Sequence, residues 1–336
     1  MITIRKPLSF SEIGQKDNQE DYLFPVNATT DSRVFILCDG MGGHDNGEVA
    51  SKTAAEALGA FLSSRTSIDK EAFETGLAIA YKALDSIDTN TSKRPGTTMT
   101  CLCLNDNSYL VAHIGDSRIY HIRPSLYDQK TGRGGIIYQS SDHSLVNDLL
   151  KAGELTEEEA RNFPQKNIIT RAMQPHLSKR YNADMFVFDN IENGDYFFLC
   201  SDGVLEQLSN EQLCETLADR LLSDEQKLAK LKSICDDRTR DNYACWLIPI
   251  NIVDVNSSTS DSSMIIKAEA EELNNYTDEP RENIDVRATH SQTRNKLQLF
   301  NKVNPKIKAV SFSILNLIAL LAILYIAYVL IKRLFS

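Results

Sequence analysis

Hydrophobic and polar positions along residues 1–252 form short blocks that predict both strands and helices. Apolar or alternating runs predict strands at Val34–Cys38, Thr98–Leu104, Tyr109–Ile114, Ile136–Gln139, Met185–Phe188, Tyr196–Cys200 and Tyr243–Ile248. Apolar residues at helical spacing predict helices at Gly47–Ser63, Glu71–Ser86, Leu145–Lys151, Asn210–Leu222 and Glu225–Cys235. Strands follow strands and helices follow helices, which favours antiparallel sheets with helices packed outside over a doubly wound parallel sheet. We therefore expect one α+β domain over residues 1–252.

The longest apolar run lies near the C-terminus, where residues 309–331 carry no charged side chain. As a helix this run would be about 35 Å long, enough to cross a hydrocarbon core of about 30 Å. The alternative is a buried core helix, but core helices seldom run so far without a polar face. Basic residues are more frequent before the run than after it, which places the large N-terminal part in the cytoplasm. We interpret residues 306–336 as a single-pass C-terminal membrane anchor.

A polar segment separates the predicted domain from the predicted anchor. Residues 256–261 read NSSTSD, and residues 268–287 are acidic with few apolar side chains. Because neither a strand period nor a helix period persists there, we interpret residues 253–305 as a flexible linker. A small appended subdomain is the alternative.

Composition and charge narrow the possible chemistry. The 46 acidic residues outnumber the 36 basic ones, for a net charge of −10, which argues against nucleic-acid binding. Acidic clusters can instead bind hard metal cations. The seven cysteines are odd in number, contain no CxxC motif and mostly lie inside apolar runs. They indicate buried thiols in a reducing compartment, not a disulfide framework or a zinc site.

Carboxylates occur at the ends of several predicted strands or beside them. They are Glu20, Asp21, Asp39, Asp116, Asp202 and Asp241. A single Asp-Gly pair such as Asp39-Gly40 is most often only a turn. Several carboxylates that converged would repel one another unless cations neutralised them, and all-oxygen ligands favour Mg²⁺ or Mn²⁺ over zinc. Spacing alone leaves convergence open.

Signatures of competing enzyme classes are missing from the sequence. No HExxH, GxSxG or G-x4-G-K-[ST] motif occurs. The glycine-rich residues 40–43 lack the lysine of a nucleotide-binding loop. Since glycine has no Cβ, this segment instead allows the backbone to approach a metal or a phosphate closely.

Eight short motifs, in order across residues 9–250, resemble those of the metal-dependent protein serine/threonine phosphatases. This is the protein phosphatase 2C family, in its bacterial form. The motifs are residues 18–21 (NQED), 39–51 (DGMGGHDNGEVAS), 96–98 (GTT), 115–118 (GDSR), 141–145 (SDHSL), 169–172 (ITRA), 201–203 (SDG) and 241–242 (DN). Residues 148–167 look like the family's flap, the variable segment beside the active site.

The resemblance implies an αββα sandwich of two antiparallel sheets, with a binuclear metal centre at one edge of the sheets. Asp39 would bridge two Mn²⁺ or Mg²⁺ ions. The carbonyl of Gly40 and the carboxylate of Glu20 would bind one ion, and Asp202 and Asp241 would complete the other.

The resemblance also implies roles in the reaction itself. A third, weaker ion would lie between Asp116 and Asp202, and Asp21 would orient metal-bound water from outside the ligand shell. That water would attack the phosphorus directly, without a phospho-enzyme intermediate. His44 would donate a proton to the leaving alkoxide. Two alternatives stay open: His44 as a solvated turn residue, and Asp116 as a turn cap paired with Arg118.

The sequence departs from the family pattern at two positions. Lys16 stands where the family usually has an arginine that grips the substrate phosphate, and the alternative for Lys16 is a solvated surface residue. The usual Asp-Asn-x-Thr reads Asp241-Asn242-Tyr243-Ala244 here, so a hydroxyl is lost but the carboxylate is kept. Neither change removes an expected metal ligand. Of the other motif residues, Arg171 is expected to hold the core or the flap, and His143 to stabilise a turn before a helix.

The resulting hypothesis is a membrane-anchored, metal-dependent phosphatase that hydrolyses phosphoserine and phosphothreonine. Its expected partners are phosphorylated proteins, an opposing serine/threonine kinase and the membrane, without nucleic acid. The alternative is a catalytically weak pseudophosphatase that binds phosphoproteins and regulates a signalling or secretion complex. The intact set of carboxylates argues against a pure binding module.

Overall fold

The computed structural model describes residues 2–42, 46–87, 94–161, 163, 165 and 168–253. Its strands, in chain order, are β1 Ile2–Ile4, β2 Leu8–Glu12, β3 Asp21–Phe24, β4 Val34–Met41, β5 Gly96–Thr97, β6 Met99–Leu104, β7 Tyr109–Ile114, β8 Arg118–Ile122, β9 Ile136–Gln139, β10 Asp184–Phe188, β11 Tyr196–Cys200 and β12 Tyr243–Val253. The helices are α1 Asn46–Ser63, α2 Lys70–Leu84, α3 Leu145–Lys151, α4 Glu157–Arg161, α5 Asp202–Leu205, α6 Asn210–Ala218 and α7 Asp224–Cys235.

Two sheets of six strands each form the centre of the domain. One has the order β1-β12-β11-β8-β9, and β2 also pairs with β12. The other has the order β10-β7-β6-β4-β3, and β5 pairs with β4. Every strand pair is antiparallel, as predicted.

Three apolar clusters hold the layers together. Between the sheets, buried side chains of both faces interdigitate, and Phe35 of β4 meets Trp246 of β12 edge to face at 5.4 Å. The helices α1 and α2 cover the outer face of the second sheet with Leu58 and Phe73. The helices α6 and α7 cover the outer face of the first sheet with Leu213 and Leu231. The predicted αββα sandwich is confirmed.

The structure differs from the predicted elements mainly at their ends. The helix predicted at Asn210–Leu222 ends at Ala218, because the Asp219 carboxylate accepts a hydrogen bond from the backbone N–H of Leu221 and turns the chain. The last strand continues beyond Ile248 to Val253, because β1 pairs with its C-terminal half.

All seven cysteines are buried and unpaired, as predicted. Burial raises the pKa of the Cys214 and Cys235 thiols to about 11. Neither of these two thiols is therefore poised as a nucleophile at neutral pH.

The predicted anchor at 306–336, and all of the predicted linker at 253–305 except Val253, lie outside the described residues. Within the described ranges no helix is long and apolar enough to cross a membrane. The domain boundaries and the anchor therefore stay predictions.

Candidate active site

Antiparallel pairing brings the predicted carboxylates to one edge of the sandwich. Asp21, the first residue of β3, lies directly opposite Asp39 of β4. On the neighbouring sheet, Asp202 follows β11 and Asp241 precedes β12, and these strands pair at that end through Cys200 and Cys245. The segments are far apart in sequence, and the sheets place them together.

The carboxyl groups are close enough to perturb one another. The carboxyl groups of Asp39 and Asp202 lie close enough to interact. Asp39 also interacts electrostatically with Asp21, Asp116 and Asp241. The convergence that spacing left open is therefore present in the structure.

Burial and mutual repulsion raise the pKa of every group in this set for which a shift is resolved. Burial is the main cause for Asp21 and Asp116, and the negative charge of Asp202 adds to it. Together they raise the pKa of Asp21 to about 8 and the pKa of Asp116 to about 7. Burial, with the charge of Asp21 next, raises the pKa of Asp39 well above its usual range. Burial and the charge of Asp241 raise the pKa of Asp202 and Glu20. Carboxylates held in this way are unstable as anions unless cations join them.

Three carboxylate oxygens in this cluster are buried and accept no hydrogen bond from the described part of the chain. They are Glu20 Oε1, Asp21 Oδ1 and Asp116 Oδ1. A buried oxygen without a partner loses its hydration without compensation, which is costly. Oxygen-only donors of this kind fit Mg²⁺ or Mn²⁺. The residues present therefore fit the metals that the resemblance implies.

Asn242 connects the two sides of the acidic cluster. Its side chain accepts a hydrogen bond from the Glu20 backbone N–H at 2.8 Å and donates to the carbonyls of Ile13 and Asn18. Its own backbone N–H donates to Asp241 Oδ1 at 2.8 Å. The side chain thus ties the Glu20 segment to the Asp241 segment.

Hydroxyl groups fix two of the acidic residues. Ser201 Oγ donates to Asp21 Oδ2 at 2.7 Å, which leaves Oδ1 available. Thr98 Oγ1 accepts a hydrogen bond from the Asp39 backbone N–H at 3.0 Å. Ser201 and Thr98 were visible in the sequence only as members of motifs, because their roles depend on contacts with segments remote in the chain.

Gly40 allows the first turn of α1 to pack directly on the cluster. A Cβ at Gly40 would lie 2.3 Å from the carbonyl oxygen of Gly47, which excludes any larger residue without a backbone shift. The Gly40 N–H donates to the Glu20 carbonyl at 3.0 Å, and Ser51 Oγ donates to the same carbonyl at 2.6 Å. These contacts bring the backbone of Gly40 and the Glu20 residue together.

Lys16 lies at the site, with its Nζ 2.9 Å from Asp241 Oδ1. Burial alone would lower the pKa of Lys16, but the hydrogen bond to Asp241 and the charges of Asp241, Glu20 and Asp39 raise it. The side chain is about half exposed. It therefore contacts both the acidic cluster and solvent.

Within the described residues no ion pair joins Asp116 to Arg118, which was one part of the alternative for Asp116. The Arg118 guanidinium instead binds both oxygens of Asp142 at 2.7 Å. The loop before Asp116 is held by His143, whose Nδ1 accepts the Gly115 N–H at 3.1 Å. His44 lies outside the described residues.

A second cluster, His113, His143 and Asp184, lies beside this loop, with potential ligand atoms within 4.8 Å of one another. The two imidazoles stack at 4.7 Å, and His143 Nε2 lies 3.1 Å from Asp184 Oδ2. The Arg171 guanidinium binds Asp184 Oδ1 at 3.2 Å. Arg171 and His143 thus connect the chain after residue 168 to the Asp116 loop, beyond the local turn predicted for His143.

The acidic cluster opens into a groove of about 1190 Å³. Its walls include Asp116, Asp202 and Asp241, together with Leu150 of α3 and Ala160 of α4. α3 and α4 fall within or beside the stretch that resembles the flap. A substrate can therefore approach the carboxylates between the sandwich and these two helices.

Comparisons with known proteins agree with this arrangement. The family model of protein phosphatase 2C matches residues 11–234. The protein phosphatase PhpP of Streptococcus pneumoniae is 38% identical over 210 residues, which cover 60% of this chain and 80% of that protein. The crystal structure of the Mycobacterium tuberculosis serine/threonine phosphatase PstP/Ppp matches with a TM-score of 0.63 and 26% identity, over 75% of this chain and 100% of that chain. The PstP catalytic domain in complex with two manganese ions matches with a TM-score of 0.60 and 25% identity, at the same coverage.

Proposed function

Because this chain is a protein phosphatase of the protein phosphatase 2C family, we propose that it hydrolyses phosphoserine and phosphothreonine in proteins with two bound Mn²⁺ or Mg²⁺ ions. The observation that carries the proposal is the group of buried carboxylate oxygens that lack a hydrogen-bond partner among the described residues. The relative that holds two manganese ions supports the same assignment.

The proposed ligands divide between the two sheets. Asp39 would hold both ions, the Gly40 carbonyl and Glu20 would hold one of them, and Asp202 and Asp241 would hold the other. We further propose a third, weaker ion between Asp116 and Asp202, supported by the free Asp116 Oδ1. The ions supply the Lewis acidity that activates water and neutralises charge on the phosphoryl group.

The remaining groups act on water, phosphate and the leaving group. Asp21, fixed through Oδ2 by Ser201, orients the attacking water with its free Oδ1. Lys16 binds the substrate phosphate once cations take over the charge of Asp241, its present partner. His44 donates the proton that the serine or threonine alkoxide needs to leave.

Hydrolysis of a phosphothreonine peptide by the full-length protein tests this function. With Mn²⁺ we expect release of phosphate over many turnovers, and with EDTA we expect none. A pseudophosphatase would bind the peptide with Mn²⁺ present but release no phosphate. That result would replace the proposed enzyme with the binding module.

We also propose that residues 306–336 anchor the enzyme in a membrane, with the catalytic domain in the cytoplasm near membrane-bound kinases and their substrates. The support is the uncharged run at 309–331 and its flanking basic residues. A coil of residues 253–305 would let the domain range roughly 40 Å from its anchor. The full-length protein should fractionate with membranes, and a chain ending at residue 305 should not. Full-length protein in the soluble fraction without detergent would contradict the anchor.

A further inference from the structure

Two arginines at the rim of the groove have no carboxylate partner in the part of the chain that the structure describes. Arg238 and Arg240 are exposed and both line the groove that holds Asp202 and Asp241. The other cations of the site are already paired, Arg118 with Asp142 and Lys16 with Asp241. Within the described ranges no carboxylate oxygen lies within 4.0 Å of the Arg238 or Arg240 guanidinium.

The backbone that carries these arginines is fixed at both ends. After α7, Asp237 adopts a left-handed conformation at φ 59°, which is unusual for a residue other than glycine and reverses the chain. The backbone N–H groups of Arg238 and Thr239 then donate to the Cys235 carbonyl, and Thr239 Oγ1 donates to the same atom at 3.0 Å. The turn is therefore closed on the end of the helix.

Buried and exposed side chains alternate along this segment, which places both arginine side chains in solvent. Thr239 is only 2% exposed, whereas Arg238 and Arg240 on either side of it are exposed. The Arg240 N–H donates to Glu206 Oε2 at 3.0 Å, and its carbonyl accepts from the Gln15 N–H at 3.1 Å. The Arg238 carbonyl accepts from Gln207 Nε2 at 3.4 Å. Only the side chains of the two arginines are left to meet a ligand.

Arg240 directly precedes Asp241, so a peptide whose phosphate reached the acidic cluster would pass this segment. We propose that Arg238 and Arg240 form a basic rim that selects phosphopeptides with acidic residues on one side of the phosphorylated residue. This inference rests on the proposed phosphatase function and extends it to the class of substrate. Glu206, which also lines the groove, accepts the Arg240 backbone N–H, and Asp142 is paired with Arg118.

The size of the effect follows from the exposure of the arginines. Ion pairs between exposed groups are individually weak, and they weaken further as salt screens them. Two such pairs correspond to a preference of about fivefold in kcat/KM for an acidic flank. We expect that preference to decline as salt rises from about 0.05 M to about 0.5 M, because the Debye length then falls below about 5 Å and salt screens the ion pairs.

The test measures kcat/KM of the full-length protein with Mn²⁺ on phosphothreonine peptides that differ only in flanking residues: acidic, neutral or basic, on either side. The ratio between peptides is taken within one variant, which cancels any loss of folded or metal-loaded enzyme. Arg238→Glu and Arg240→Glu should each reduce the acidic preference, and the double variant should invert it. The matched control is Arg220→Glu. Arg220 is an exposed arginine that lines a separate pocket together with Tyr196. Tyr196 is the first residue of β11, whereas Asp202 follows the other end of that strand. The control variant should keep the wild-type ratio.

Equal kcat/KM for all flanks in the wild type, or an acidic preference that survives in the double variant, would overturn the rim. Loss of binding to anionic vesicles in the double variant, with the peptide ratio unchanged, would assign the arginines to lipid and also overturn it. Failure of the wild type to hydrolyse any of the peptides is a different result, because it removes the proposed phosphatase function itself.

Discussion

At the scale of single residues, Lys16 shows how the acidic site balances its charge. Its ammonium group pairs with Asp241 Oδ1 at 2.9 Å, yet about half of the side chain is exposed to the solvent from which substrate arrives. If divalent cations neutralised Asp241, as proposed, the lysine would lose most of its attraction to that carboxylate. It could then meet a phosphate, as a flexible point charge instead of the planar fork of an arginine.

Lys16→Ala should raise KM for phosphopeptides about tenfold, equivalent to roughly 1.4 kcal/mol, with a smaller loss in kcat. The effect on KM should exceed the effect on kcat because the proposed metals would supply most of the charge stabilisation in the transition state. Lys16→Arg should retain or improve substrate binding. Steady-state kinetics with Mn²⁺ measures both, and Lys6→Ala, an exposed lysine outside the site, serves as the control. Unchanged KM in Lys16→Ala would leave the phosphate without this contact.

At the scale of elements, the local pattern predicted some strands at both ends and missed others. The strands Tyr109–Ile114 and Tyr196–Cys200 agree with the structure at both ends, and every residue in them is buried. The strands β2 and β3 were not predicted, because each is short and mixes polar with apolar positions. They form only because β12 and β4 offer them a pairing edge. Tertiary pairing, which local pattern does not contain, decided these elements.

A buried polar network joins strands of the two sheets and should contribute strongly to stability. His121 of β8 bonds Asp195 Oδ2 through Nε2 and the Tyr109 hydroxyl through Nδ1, both at 2.7 Å. The Arg123 guanidinium also binds Asp195. The network thus links β7, β8 and the turn before β11 away from solvent.

Asp195→Ala should lower the free energy of unfolding by about 3–5 kcal/mol, because it leaves buried charged and polar partners without compensation. Urea unfolding followed by the emission of Trp246, the single tryptophan of the chain, measures this change. Glu192→Ala removes the other carboxylate partner of Arg123, but that side chain is 63% exposed, so its cost should stay below about 1 kcal/mol. Equal losses in the free energy of unfolding for the two variants would contradict the claim that burial makes Asp195 the more important partner.

At the scale of the whole molecule, the acidic site exists only where two sheets meet at one edge. The order of the motifs predicted which carboxylates belong to it, and antiparallel pairing explains why they converge. The sequence did not predict the contacts of Asn242 and Ser201 between the sheets, or the contact of Thr98 within one sheet, since each joins segments remote in the chain. It also could not distinguish the two partners open to Arg118, because Asp116 and Asp142 become neighbours only in the fold.

The raised carboxyl pKa values make the metal-free protein sensitive to pH. Between the ordinary pKa of an aspartate and the folded values of about 7 for Asp116 and about 8 for Asp21, the folded state binds more protons than the unfolded state. Stability in EDTA should therefore fall as pH rises from about 5 to about 8, lowering Tm by about 5–10 °C. Saturating Mn²⁺ should remove most of this fall, because cations replace the protons. A Tm in EDTA that rises or stays constant over this range would contradict the predicted protonation of the cluster.

Titration of Mn²⁺ into the full-length protein by calorimetry, paired with phosphothreonine hydrolysis on the same samples, tests the central claim most directly. The wild type should bind two ions tightly and hydrolyse the peptide, and EDTA should abolish hydrolysis. Asp39→Asn should lose tight Mn²⁺ binding and at least about a hundredfold in kcat/KM, whereas Asp31→Asn, an exposed aspartate in the loop before β4, should change neither. Full activity in EDTA, or an Asp39→Asn variant that binds two ions and turns over like the wild type, would contradict a metal centre built on Asp39.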